Sequence, residues 1–157
     1  MARQLFLLSG EAIQLIEKKL GELVKQTKAQ FSQVIDRSGY PIASCGNLPH
    51  IHPEELGAIS AGVLSATQVV VNLAESQEIT MRFHSRNMPD FHFRWVNPRV
   101  FVLVAFGSAT SEEVVRDAAR RFAGEVLPQL VQDQSQVPDL RSSQFIEGKI
   151  AELFRDL

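Results

Sequence analysis

The sequence predicts an α/β sandwich: one five-stranded antiparallel sheet held between one helix and two helices, with an extra helix at the C-terminal end. Three observations carry this. The hydrophobic period switches between 3.6 and 2 in the order helix, two strands, helix, three strands, helix. Turn residues stand where hairpins need them, at Arg37-Ser38-Gly39 and Asn97-Pro98-Arg99. Residues 38–53, 56–74 and 100–111 contain no Asp, Glu, Lys or Arg, although the chain has 16 basic and 18 acidic residues. A charge-free stretch is a membrane span, a buried element or a surface that another chain covers.

Ser9 is placed to cap a first helix running to about Lys25, with Ile13, Ile16, Leu20, Leu23 and Val24 on one face. Its other face, Glu17, Lys18, Lys19, Glu22 and Lys25, is a solvated surface. The short apolar run 5–8 is expected to pack beside this helix. Residues 30–36 read as a strand that turns at Gly39 into a second strand over 40–45.

Pro53, followed by Glu54 and Glu55, is a favourable start for a second helix extending to about Glu75. Ile59, Val63, Ala66 and Val70 form the expected core stripe. The opposite face offers Ala58, Ala61, Gly62, Ser65 and Val69 where a wetted helix would carry charge. The apolar length meets the ~20-residue criterion for a membrane span. Ser60, Ser65, Thr67, Gln68, Asn72 and two glycines make it a poor one. The better reading is a helix buried on two sides, by the sheet and by a second chain.

Three strands follow. Residues 77–84 alternate Ile79, Met81 and Phe83 with Thr80, Arg82 and His84; residues 91–96 set Phe91, Phe93 and Trp95 against His92 and Arg94. Residues 100–106 are nearly continuously apolar, as a central strand covered on both faces should be. Thr110 and Glu113 make a candidate capping box for a third helix, with Val114, Val115, Ala118, Phe122, Val126 and Leu130 on its apolar face and Pro128 as a kink or stop. The domain is expected to span 1–131, a polar linker 132–143, and an amphipathic helix 144–157. Ile146, Ile150, Leu153, Phe154 and Leu157 line one side of that last helix. It is marginal alone and should dock.

Composition limits function. At 157 residues the chain fits one domain that needs no disulfide or metal to hold a core, and its net charge of −2 argues against nucleic acid as a partner. A lone cysteine, Cys45, fits a reducing compartment, and the run at 5–8 is shorter than a signal peptide's apolar region. A cytoplasmic location is expected, with a polar position left open.

Catalytic signals are sparse. There is no phosphate-binding loop motif, and Gly148-Lys149-Ile150 lacks the upstream Gly and the hydroxyl residue such a loop needs. Cys45, His50 and His52 lack a fourth ligand at a familiar spacing, so no metal and no cofactor are expected. Cys45 reads as a small hydrophobe at a strand end rather than a nucleophile. Glu54/Glu55 and Glu112/Glu113 suit the positive ends of helices. Arg82, Arg86, Arg94, His84 and His92 form a solvated sheet face, a patch for an anionic partner, or the source of an arginine finger acting in trans on a GTPase.

The segments FSQVIDRSGYPIASCG, PEELGAISAGVLSATQVVVNLAES and FHFRWVNPRVFVLVAFGSATSEEVVRDAARR, in that order, resemble the roadblock/dynein-light-chain family, and its bacterial MglB branch in particular. The resemblance covers about residues 9–130. It implies a homodimer with second helices side by side and sheets joined through the third strand, which makes Ile79, Met81 and Phe83 interface residues. It also implies a Ras-like small GTPase of the MglA type, carrying guanine nucleotide, bound on the paired second helices. GTP hydrolysis would be stimulated by reorganising the GTPase's own catalytic residues, in cell polarity or motility, so that the protein has no active site of its own. Ala61, Ser65 and Val69 fall at the GTPase-binding positions, and Ala58 and Gly62 extend that stripe. Phe145, Ile146, Ile150, Leu153 and Phe154 lie in a segment that resembles the family's extra C-terminal helix, which touches the GTPase. FHFRWV is more aromatic and basic than the family's pattern, and FGSATS lacks its acidic and Arg-containing sequence. The second reading is therefore a dimeric adaptor that scaffolds a GTPase or polarity proteins without activating hydrolysis.

Overall fold

The computed structural model describes residues 8–83, 85 and 87–134, with side chains described as far as residue 130. The elements are α1 (Gly10–Thr27), β1 (Phe31–Asp36), β2 (Pro41–Gly46), α2 (Pro53–Leu73), β3 (Glu78–Met81), β4 (Asp90–Asn97), β5 (Val100–Phe106) and α3 (Glu112–Gln134). They build one antiparallel sheet in the order β2-β1-β5-β4-β3. The predicted sandwich is the observed one, with α1 and α3 on one face and α2 on the other. The predicted C-terminal helix and most of the linker lie outside the described residues.

β5 explains the layering. All seven of its residues are buried. Val100, Val102, Val104 and Phe106 pack with Ile16, Leu20 and Leu23 of α1 and with Val115, Phe122 and Val126 of α3. Phe101, Leu103 and Ala105 point the other way, into a cluster with Leu56, Ala61 and Leu64 of α2 and with Phe91 and Phe93. The period of two divides one strand between two cores.

The ends of the elements have local causes. The Ser9 hydroxyl accepts the Ala12 N–H at 3.1 Å to cap α1. Asp36 Oδ1 accepts the N–H groups of Ser38 at 2.8 Å and Tyr40 at 3.0 Å, closing the β1–β2 turn. Gly39, at φ 98°, completes it. That turn rests backbone against backbone on α2. A Cβ on Gly57 would lie 2.5 Å from the Gly39 carbonyl oxygen, and one on Gly39 would lie 3.0 Å from Ala58 Cα. Gln33 Nε2, buried in β1, donates to the Pro53 carbonyl at 3.0 Å and fixes the start of α2.

Four expectations are corrected. α3 begins one residue beyond the expected cap, with Ser111 Oγ rather than Thr110 accepting the Val114 N–H at 3.3 Å. It continues through Pro128 to Gln134, past the expected linker start at 132. β3 is shorter than predicted, ending at Met81. The largest correction concerns α2, whose buried residues are Leu56, Gly57, Ser60, Ala61, Leu64 and Val71. Ile59, Ala66 and Val70 of the expected core stripe are exposed, and Val63 is half-buried. Without charge beyond its first turn, hydrophobic periodicity cannot choose which face turns inward. The close fit of Gly57 on Gly39 does choose, and it rotates the helix by about one residue, roughly 100°.

Candidate partner-binding surface

The small and apolar outer face of α2 follows from that rotation. Ala58, Gly62, Ser65 and Val69 are all exposed, and the space around Gly62 is open. Ala61 differs: it is buried against the sheet and cannot meet a partner. The exposed set gains two residues that periodicity assigned to the core, Ile59 at 62% and Val70 at 65%, beside Val69 at 69% and Leu73 at 81%. Scattered exposed apolar residues are ordinary, whereas a contiguous apolar helix face without charge marks a surface to be covered. Covering it would bury several large aliphatic side chains at about 1.5–3 kcal/mol each.

β3 supplies the second part of the surface. It pairs only with β4 among the described residues, so its outer edge carries unpaired backbone groups. Ile79 and Met81 are half-buried and pack into the α2-side core. Phe83, just beyond the strand, is 37% exposed and meets Phe91 edge-on at 5.6 Å. Phe145, Ile146, Ile150, Leu153 and Phe154 lie outside the described residues.

The described members of the histidine–arginine group, Arg82, His92 and Arg94, are paired within the chain. His92 is fully buried, with Nδ1 2.8 Å from Thr80 Oγ1. Arg94 donates to Glu78 Oε2 at 2.9 Å, and Arg116 reaches Glu78 Oε1 from α3 at 3.1 Å. Arg82 donates to Asp90 at 3.1 Å and Glu112 at 3.2 Å. The guanidiniums of Arg82 and Arg94 are therefore paired with carboxylates of the same chain, Arg94 largely buried and Arg82 largely exposed. His84 and Arg86 lie outside the described residues. Burial drives the His92 pKa down to about 4, against the pull of Glu78, so the imidazole is neutral at pH 7. Burial also pushes the Glu78 carboxyl up, but a protonated His92 and the guanidiniums of Arg94 and Arg116 outweigh it and hold the pKa below the usual range.

Sequence reasoning missed Glu78 as the hub of this network. The signal was present: opposite charges recur at Glu78 and Arg94 and at Arg82 and Asp90, which a β3–β4 hairpin brings face to face.

No catalytic set is assembled elsewhere among the described residues. A hollow of ≈ 540 Å³ opens at one end of the sheet, lined in part by Arg82, Phe83, Met88, Ser111 and Glu112. Its described lining includes no His or Cys that would activate its hydroxyls. Cys45 is a free, half-buried thiol packed against the α1/α3 core. No group of three His, Cys, Asp or Glu side chains comes together to hold a metal ion among the described residues.

No family model and no curated protein sequence matches the chain. Solved structures match its fold. An MglB described as having a tetrameric arrangement superposes with a TM-score of 0.70 at 20% identity, covering 80% of this chain and 95% of that one. The gliding protein MglB from Thermus thermophilus gives 0.69 at 18% identity, with the same coverage. A roadblock/LC7 domain from Streptomyces avermitilis gives 0.62 at 12% identity, covering 73% of this chain and 97% of that one. The chain has the roadblock fold in the form found in MglB.

Proposed function

We propose that this protein is a roadblock-family regulator of the MglB branch, without an active site of its own, that self-associates and binds a Ras-like small GTPase of the MglA type. The observation that carries this reading is the uncharged outer face of α2, where Ile59, Val69, Val70 and Leu73 stand exposed on the roadblock scaffold. A helix face of this kind loses free energy in water and recovers it when covered. Two occupants fit: a second copy beside the helix, with sheets joined at the β3 edge, and a GTPase across the paired helices. The tetrameric arrangement described for one MglB supports self-association. A place in cell polarity or motility is supported by the gliding role in the name of another.

Stimulation of GTP hydrolysis is the finer part of the proposal. In this reading, as the resemblance to the MglB branch implies, stimulation works by reorganising the GTPase's own catalytic residues. The protein acts in the cytoplasm in this reading.

The test mixes the full chain with its MglA-type GTPase loaded with GTP and follows binding and phosphate release together. Binding with a rise above intrinsic hydrolysis supports the activator. Binding with no rise leaves the dimeric adaptor as the function. The variant Ser65→Arg places a long charged side chain on the exposed α2 face and should reduce GTPase binding at least tenfold while the thermal midpoint stays unchanged. Unaltered affinity would remove α2 from the interface.

A further inference from the structure

The edge strand β3 is too short and too lightly covered to be held by backbone bonding to β4 alone. It has four residues, all half-buried, and one hydrogen-bonded neighbour among the described residues. What distinguishes it is the arrangement of charge at its two ends. In the β3–β4 register Glu78 lies opposite Arg94 and Thr80 opposite His92. Extending that register by one residue past Met81 and Phe91 sets Arg82 opposite Asp90, and this pair is joined at 3.1 Å. Each end is then bound by α3 as well. Glu112 and Arg116, four residues apart on one face of that helix, reach Arg82 at 3.2 Å and Glu78 at 3.1 Å.

The result is two triads of opposite sign. A carboxylate sits between two guanidiniums at the start of β3, and a guanidinium sits between two carboxylates at its end. Thr80 and His92 form the neutral rung between them at 2.8 Å. A slip of two residues in either direction separates both triads, placing Glu78 opposite His92 or Val96. A slip of one turns Ile79 and Met81 out of the α2-side core. Charge thus specifies the register of β3 twice over, and α3 takes part in both specifications.

We propose that the two triads make β3 and the N-terminal turns of α3 one mechanical unit, so that loosening either element loosens the other. The coupling does not depend on GTPase binding.

Residue-resolved hydrogen exchange on the full chain tests it in both directions. The double substitution Glu112→Gln with Arg116→Met, made on the α3 side, should speed exchange of the Ile79–Met81 amides about fivefold or more. Exchange of the β5 amides, which reports global opening, should stay unchanged. Made from the strand side, Glu78→Gln should speed exchange in residues 113–117 of α3 by a similar factor. If Glu78→Gln does not fold, Arg82→Met at the exposed triad supplies the strand-side measurement. The control Lys19→Met removes the 3.1 Å Lys19–Glu125 contact between α1 and α3 and should leave β3 unaffected. Unchanged β3 protection in the α3 double variant, or unchanged α3 protection in the strand-side variant, overturns the proposal.

Discussion

On one face of the sheet, α1 and α3 turn charge to solvent and apolar side chains to the strands, and Lys19 bridges to Glu125 across their outer surface. On the other, α2 is the one helix among the described residues, held through Leu56, Gly57, Ser60, Ala61 and Leu64, with Ile59, Val69, Val70 and Leu73 left outside. Among the described residues the first face is finished, whereas the second has its inner contacts made and its outer ones open, which is where the proposed partner surface lies.

The largest expected effect breaks the finished side. Leu20 is fully buried between α1 and the sheet. Leu20→Ala should cost about 2–5 kcal/mol in urea unfolding, whereas Val70→Ala on the exposed α2 face should cost under about 0.5 kcal/mol. A larger Val70 cost, with a midpoint that rises with protein concentration, would show a second copy already covering that face.

The next effect is acid lability at His92. Its folded pKa of about 4 lies below its ordinary value of 6.5, so only the unfolded chain takes up the proton as pH falls through that window. Stability should therefore decline by up to about 3 kcal/mol between pH 7 and pH 4. Glu78, also depressed, adds to the loss as pH falls through the carboxylate range. In His92→Gln the portion between pH 6.5 and 4 should flatten, and an unchanged slope would locate the lability elsewhere.

A smaller effect tests how α2 is seated. Gly57→Ala puts a methyl group 2.5 Å from the Gly39 carbonyl, so helix and turn must separate, at about 1–3 kcal/mol in thermal unfolding. An unaltered midpoint would mean that the Gly39 contact does not set the helix face.

The two faces also differ in how far they can be read in advance. α1 is legible because Glu17, Lys18 and Glu22 mark its wet side and Ile16, Leu20 and Leu23 its dry one. β5 is legible because an apolar run of that length between turn residues has to be covered on both sides. For α2 the same reasoning misassigns Ile59, Ala66 and Val70. Apolar residues stand on every side of that helix, and the choice is made by the contact of Gly57 with Gly39, in a different element. Its lack of charge still identifies it as a contact element. The histidine–arginine group is visible in the sequence, and pairing β3 with β4 would have set Glu78 against Arg94, but Arg116 arrives from another layer.

The strict alternation of β5 has a consequence for how such a protein can change over time. Substitutions at Phe101, Leu103 or Ala105 are registered beneath α2, and those at Val100, Val102, Val104 or Phe106 beneath the helix pair. A lineage can therefore rewrite the layer beneath α2, and with it the seating of that helix, while inheriting the opposite layer intact.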